Sequence, residues 1–267
     1  MSPIRSTLLL ACTLALAACA APGGTSGHAV AAPASSLDTV MQRGELRACL
    51  PGDYKPFGFQ KPDGSYEGID IDLSQSLARA MGVKVSYVKT TWARLMDDFT
   101  GGACDIAIGG ISVTTDRQKR AYFSAPYMVN GKTPLVRCDD VGKYQTVAAI
   151  DQPTTRVVVN PGGSNERFAR ANFKRAQLTV HKDNVGIFDE LLQKRADVFV
   201  TEAAEAQVQQ HQKPGLCAVN PDKPLQYGEI AWLLPRGDGP MKTFVDQWLH
   251  LARATGEYAA VEKRWLQ

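Results

Sequence analysis

The sequence predicts two α/β lobes, the second inserted into the first. Three observations support that reading. Apolar runs of strand length alternate with helical patterns along most of the chain, as βαβ units and parallel sheets do. The alternation comes in two sets. The chain leaves the first set near Gly131 to Thr133 and rejoins it near Leu225 to Glu229. A length of 267 residues accommodates two such lobes, and 44% hydrophobic with 21% charged residues is ordinary for a globular protein. The 30 Lys and Arg against 27 Asp and Glu leave a net charge of +3. They are scattered, with no stripe interleaving them with aromatics, so neither nucleic acid nor a polybasic membrane surface is an expected partner.

Residues 1–18 read as a leader: Arg5 supplies the charge, and Leu8 to Ala18 an apolar stretch too short to span a bilayer. Leu16-Ala17-Ala18-Cys19 looks like a bacterial lipobox, in which Cys19 is lipidated and becomes the mature N-terminus; ordinary cleavage around Ala18 to Ala21 is the alternative. Either route exports the chain, with membrane contact only through a lipid on Cys19. Residues 19–36 form an Ala/Gly/Pro/Ser tether. Lobe 1 takes residues 37–132 and 226–267, and lobe 2 takes 133–225.

In the first lobe, Glu45 to Leu50 reads as a strand ending in the turn-rich Pro51 to Phe57. Asp70 caps a helix whose Leu73, Leu77 and Met81 recur at four-residue spacing and which Gly82 ends. Val83 to Lys89 is the next strand. A short helix buries Leu95, Met96 and Phe99, and Asp105 to Ile108 is a buried strand ending in Gly109-Gly110-Ile111-Ser112. After a short helix near Thr115, a Pro-containing stretch reaches Thr133. In the second lobe, Val157 to Val159 is a strand running into Asn160-Pro161-Gly162-Gly163-Ser164-Asn165, before a helix with Phe168 and Phe173. Gln177 to His181 is a strand, Val185 to Lys194 a helix, and Ala196 to Val200 a buried strand. Tyr227 to Leu234 is extended, and two amphipathic helices close the chain.

In open α/β sheets, ligands collect at the carboxyl ends of strands. Four such ends here are small or polar: Gly52-Asp53, Gly110 to Ser112, Asn160 to Ser164, and Thr201-Glu202. Facing one another across a cleft, they make a pocket. Glu202 and Glu205, three apart, share one face if a helix begins there. Two half-buried carboxylates disfavour each other's charge, so one keeps a proton near neutral pH, as a general acid must. On spacing alone a solvated first helical turn is the preferred explanation, because acidic residues suit the helix dipole there. His28, His181, His211 and His250 are far apart and no CxxC occurs, so no metal site is expected. With Cys12 lost in the leader and Cys19 lipidated, Cys49, Cys104, Cys138 and Cys217 remain, and three complete pairings are open.

Four passages carry a resemblance: Gly52-Asp53-Tyr54-Lys55-Pro56-Phe57, Asn160 to Glu166, Asp183-Asn184-Val185-Gly186-Ile187-Phe188, and Val245-Asp246-Gln247-Trp248-Leu249-His250. Through them the chain, from about Gly44 to Leu266, resembles the bacterial family 3 solute-binding proteins of the polar amino-acid type. Within them it resembles the periplasmic cyclohexadienyl dehydratases. The resemblance implies a periplasmic location and a type II periplasmic-binding-protein-like fold, its ligand cleft lying between lobes joined by two crossover strands. It also implies a lyase of phenylalanine biosynthesis, in which prephenate loses carbon dioxide and water to give phenylpyruvate. Arogenate would give phenylalanine by the same route. These small molecules are the implied partners; aromatisation drives the reaction, and no cofactor is implied.

In that resemblance Glu205 matches the general acid, and Lys132 the active-site lysine that contacts the leaving hydroxyl or a carboxylate. Arg117 is placed like the arginine that takes the ligand's carboxylate, and its planar fork suits a bidentate pair. Gly162, Gly163 and Ser164, before a helix, offer backbone amides and a hydroxyl as a carboxylate cradle. Trp92 and Tyr54 would wall the ring. Asp53 and Asn160 would add polar contacts, and Gly110, Ser112 and Gly131 would act through backbone or hydroxyl groups. The resemblance pairs Cys138 with Cys217; Cys49 and Cys104 are either free buried thiols or a second bridge, and free thiols are the preferred expectation. Two departures stand out. Glu202 replaces the family's aspartate, the residue that meets a ligand's amino group, and bears on how well arogenate is handled. Ser164 replaces a threonine. The competing class is a non-catalytic amino-acid-binding protein of an ABC transporter, from which Glu205, Lys132 and Trp92 occurring together distinguish the dehydratase.

Overall fold

The computed structural model describes residues 35–266. The leader and Cys19 lie outside them. In chain order, α1 (Ser36–Arg43) leads into β1 (Glu45–Leu50), and β2 (Asp53–Tyr54), β3 (Gly58–Gln60) and β4 (Tyr66–Glu67) form a small antiparallel meander. Next come α2 (Ile69–Met81), β5 (Lys84–Lys89), α3 (Leu95–Thr100), β6 (Ile106–Ala107), α4 (Thr115–Gln118) and β7 (Tyr122–Phe123). The long β8 (Met128–Arg137) carries the chain into a second sheet. There it forms α5 (Val147–Ile150), β9 (Arg156–Val159), α6 (Ser164–Asn172), β10 (Gln177–Val180), α7 (Ile187–Leu192), β11 (Val198–Glu202), α8 (Ala203–Gln212) and β12 (Leu216–Ala218). β13 (Gln226–Ile230) returns it to β14 (Leu233–Leu234), and α9 (Gly239–Ala254) and α10 (Glu257–Leu266) follow.

The first sheet runs β5-β1-β6-β14-β7 and the second β10-β9-β11-β8-β12, with β13 added on β8. Parallel pairing holds where a helix links the strands: β1 with β5 and β6, β9 with β10 and β11. The expectation of parallel sheets throughout is corrected, because β14 pairs antiparallel in the first sheet and β8, β12 and β13 in the second. The physical reason is the crossing itself. β8 takes the chain out and β13 brings it back alongside, so the two run in opposite directions.

Both sheets bury two faces, as the two-residue side-chain period of a strand requires. Along β1, Leu46, Ala48 and Leu50 face the apolar group that holds Leu73, Leu77 and Trp232. Cys49 faces the other, with Leu95, Phe99 and Ala107. In the second sheet Val157 and Val159 point one way and Val158 the other. The helix containing Leu73 and Leu77 forms as expected and ends at Gly82 (φ 71°), but its cap is Gly68, not Asp70. Asp70 sits inside the first turn, fully buried, and serves the site described below.

Two disulfides are present. Cys138–Cys217 ties β8 to β12, with Cα atoms 4.8 Å apart. Cys49–Cys104, with Cα atoms 5.6 Å apart, corrects the expectation of free thiols. β1 lies parallel to β6, pairing Cys49 with Ala107, and Cys49 and Cys104 share one apolar face. Each bridge closes a loop long enough to stabilise the fold by about 4 kcal/mol in the chain-entropy account. Alkylation of the unfolded, unreduced protein followed by peptide mapping should leave Cys49, Cys104, Cys138 and Cys217 unlabelled; label on Cys49 or Cys104 before reduction would contradict the first bridge.

Candidate active site

The polar strand ends do converge. After β6 the chain turns through Gly109 and Gly110, whose N–H groups donate to Asp70 Oδ2 at 2.6 and 2.8 Å. A carboxylate fixed at the start of α2 thus sets the path of Gly110 to Ser112. Gly110 has φ 74°, and a Cβ there would lie 2.6 Å from ring atoms of Tyr54 and Phe57, so only glycine fits beneath those rings. Gly131 in β8 is confined differently: a Cβ would run into the Gln226 carbonyl oxygen of β13.

Lys132 and Glu202 face each other directly across the β8–β11 ladder and are almost wholly buried. Lys132 Nζ donates to Glu202 Oε1 at 2.5 Å, Asn165 Oδ1 at 2.6 Å and Ser164 Oγ at 2.8 Å, which uses all three ammonium protons. Ser112 Oγ donates to the same Glu202 oxygen at 2.6 Å and lies 3.0 Å from Ser164 Oγ. Burial pulls the Lys132 pKa below its usual value, and the Glu202 charge opposes that shift. Ser164 spends its hydroxyl here and not on capping α6, whose cap is Gly163. One amide of the expected cradle, Gly162 N–H, is already taken by Glu166 Oε2 at 2.7 Å.

Glu205 lies in the first turn of α8 and is 1% exposed. Glu202 is the last residue of β11 and the extended cap of that helix, so the two carboxylates do not share a helical face as expected. Burial pushes the Glu205 carboxyl well above the usual carboxylate range; a hydrogen bond from Thr201 Oγ1 to Oε2 opposes this, and the Asp53 and Glu202 charges reinforce it. Asn165 Nδ2 donates to Thr201 Oγ1 at 3.2 Å and to Asn160 Oδ1 at 3.1 Å, linking the two carboxylates' surroundings.

On the facing side, Trp92 Nε1 donates to Asp53 Oδ1 at 3.0 Å, and Tyr54 meets Trp92 edge-on at 5.6 Å between ring centroids. Burial raises the Asp53 pKa, against the Trp92 hydrogen bond. The buried Tyr54 hydroxyl has no hydrogen-bond partner among the described residues. Arg117 is 4% exposed and donates Nη1 to the Ser112 carbonyl at 2.7 Å; burial lowers its pKa to about 10.

Three cavities adjoin these residues. The first is narrow, with about 10 Å³ of cavity volume, and is lined from the first sheet's loops by Tyr54, Trp92, Gly110 and Ser112. From the second sheet come Asn160, Gly163, Ser164 and Glu202. Lys132 and Arg117 stand behind its wall, reaching it through Ser164, Glu202 and Ser112, and Gly131 lies beside Lys132 in β8. The second, of about 230 Å³, is lined by Asp53 and Glu205, and the third, of about 280 Å³, by Gly131, Lys132, Ser164 and Glu202. Asn184 borders the first two.

Residues 46–267 match the family described as bacterial extracellular solute-binding proteins, family 3. The chain belongs to that family. A cyclohexadienyl dehydratase of Pseudomonas aeruginosa is 46% identical over 233 residues, 87% of each chain. Among solved structures, an ancestral cyclohexadienyl dehydratase is 48% identical, with 88% of this chain and 98% of that one covered and a TM-score of 0.56. An ancestral amino acid-binding protein, a precursor of cyclohexadienyl dehydratase, is 31% identical, covering 87% and 100%, at a TM-score of 0.80. Identity favours the dehydratase, while overall shape favours the binding-protein precursor.

Sequence reasoning missed three polar residues of this family member's site. Asp70 reads as a cap from its position, and nothing local shows that it reaches Gly109 and Gly110. Asn184 donates to the Asp53 carbonyl at 3.3 Å across the cleft, a contact without a sequence signal. Asn165 adjoins Ser164, and that adjacency is the available signal. Because removing one partner of a buried ion pair strands the other, Lys132→Met should lower the unfolding free energy by about 3–5 kcal/mol, and Lys132→Met with Glu202→Leu by much less. Urea denaturation of the double-mutant cycle measures this; additive losses would contradict a coupled pair.

Proposed function

We propose that the protein is an exported cyclohexadienyl dehydratase that converts prephenate to phenylpyruvate, and arogenate to phenylalanine by the same route. The observation that carries the reading is Glu205: a carboxylic acid whose burial beside Asp53 disfavours its ionisation, in a chain 46% identical to a cyclohexadienyl dehydratase. The ring's tertiary arrangement needs little else. As Glu205 protonates the departing hydroxyl, the ring carboxylate leaves as carbon dioxide, and the electron pair of the broken C–C bond completes the aromatic ring. The exclusion of water favours a neutral acid until the C–O bond breaks.

In this reading Arg117, with one donor on Ser112 and the rest of its fork uncommitted among the described residues, takes a substrate carboxylate. Lys132 exchanges the longest of its three bonds, to Ser164, for the other carboxylate or the hydroxyl. Tyr54 and Trp92 pack on the ring, Asp53, Asn160 and Ser112 supply polar contacts, and Gly163 a backbone amide. The lobe boundaries 37–132 with 226–267, and 133–225, belong to the same proposal, supported by the pairing of Lys132 with Gln226 where β8 and β13 cross. So does lipid attachment at Cys19. The reading of a transport binding protein draws support from the shape match to the amino acid-binding precursor.

Purified protein given prephenate should form phenylpyruvate, read by its absorbance in alkali; binding of an amino acid without product would favour the transport reading. Glu205→Gln should lower kcat about 10²- to 10⁴-fold, the usual worth of general acid catalysis. Since the protonated form is the active one, wild-type kcat/KM should hold constant at pH values where an ordinary glutamate, pKa about 4.3, is already ionised, and fall only as pH rises through the elevated Glu205 value. A fall beginning near the ordinary value would remove Glu205 from the role.

A further inference from the structure

The proposed reaction has a proton balance. Prephenate, a dianion, takes up one proton and yields the phenylpyruvate monoanion, carbon dioxide and water. Glu205 supplies that proton, so every turnover leaves it as a carboxylate that must be recharged from solvent.

The first cavity offers no route for this. Glu205 Oε2 is bonded to Thr201 Oγ1, which in turn accepts from the Asn165 amide. An amide N–H holds its proton at neutral pH, so a relay from Lys132 through Asn165 ends there. Glu205 is not among the residues lining the first cavity.

The second cavity, which Asp53, Lys55 and Phe59 line from the first sheet's loops, is open. Glu205 lines it together with Gln209 and Gln212. These three residues, at i, i+4 and i+7, follow one face of α8, which makes a path of about 10 Å from the buried acid outward. Glu205 is buried, Gln209 is 5% exposed, and Gln212 is exposed. Gln209 Oε1 is fully buried without a hydrogen-bond partner among the described residues. Lys213 and the half-exposed Val185 complete the outer end. A space of about 230 Å³ is ample for a file of water, and a buried, unpartnered amide oxygen is the kind of group that orders one.

We propose that the Glu205–Gln209–Gln212 face of α8 is the proton-entry and water-exit route of the reaction, with Gln209 as the positioning residue for water next to Glu205. The proton passes from solvent through that water to the Glu205 carboxylate, and the water formed from the substrate hydroxyl leaves the same way. The inference rests on Glu205 as the general acid of the proposed function.

The test is pre-steady-state and steady-state turnover of prephenate by the wild type and by Gln209→Leu. The first turnover of Gln209→Leu draws on a proton already in place and should keep the wild-type rate. Later turnovers should slow roughly tenfold at unchanged KM, producing a burst, as expected when a step after chemistry becomes limiting. Adding formate or imidazole buffer should then speed the slow phase. Gln212→Leu, at the exposed end, is the second variant should Gln209→Leu fail to fold, and should show a smaller burst with the same buffer response. An equal fall in both phases without buffer dependence would overturn the route, as would a raised KM at unchanged kcat, which would make the cavity a substrate pocket. Wild-type protein without turnover would instead bring down the dehydratase reading itself.

Discussion

Between β8 and β11 two full charges, Lys132 and Glu202, are held away from water and against each other. Burying such a pair contributes little net stability, since desolvation offsets the attraction. Its effect is on geometry. Glu202 Oε1 draws Ser112 from the first sheet's loop, and Lys132 Nζ draws Ser164 and Asn165 from the start of α6. Elements far apart in sequence are thereby brought to fixed distances around one carboxylate oxygen. The crossing strand makes this possible, because Lys132 is the residue of β8 that pairs with β11 on one edge and with β13 on the other.

Glu202 and Glu205 show how environment divides the work of two identical side chains. One meets an ammonium at contact distance. The other is buried near Asp53, Glu202 and Lys132; burial and the two carboxylates act to keep its proton on, against the Thr201 hydroxyl and the Lys132 charge. The boundary between the two is Thr201 with Asn165, neutral groups whose hydrogen bonds transmit position without transmitting charge.

Much of this was legible in the sequence. The apolar runs of β1, β9 and β11, the four-residue spacing of α2 and the small or polar strand ends follow from local chemistry, and the structure brings those ends together. β8 was harder to read, since Lys132 and Pro134 interrupt its apolar pattern and its pairing partners lie some 70 to 100 residues downstream. The antiparallel direction of β8, β12, β13 and β14 is set by that crossing and not by any residue's preference. Cys49 and Cys104 pair because two strands lie side by side, which only topology decides. Spacing alone describes an ordinary first helical turn at Glu205; the resemblance is what singles it out, and the structure adds its burial.

Asp70 is at once part of the folding unit and of the site. Its helix packs Leu73 and Leu77 into the first sheet's core, while its carboxylate holds the Gly109–Gly110 turn that leads to Ser112 and the cleft. Selection for a sound fold and selection for activity therefore bear on the same atoms. At this position robustness and function are not separable traits, and a screen for either one would be reading the other.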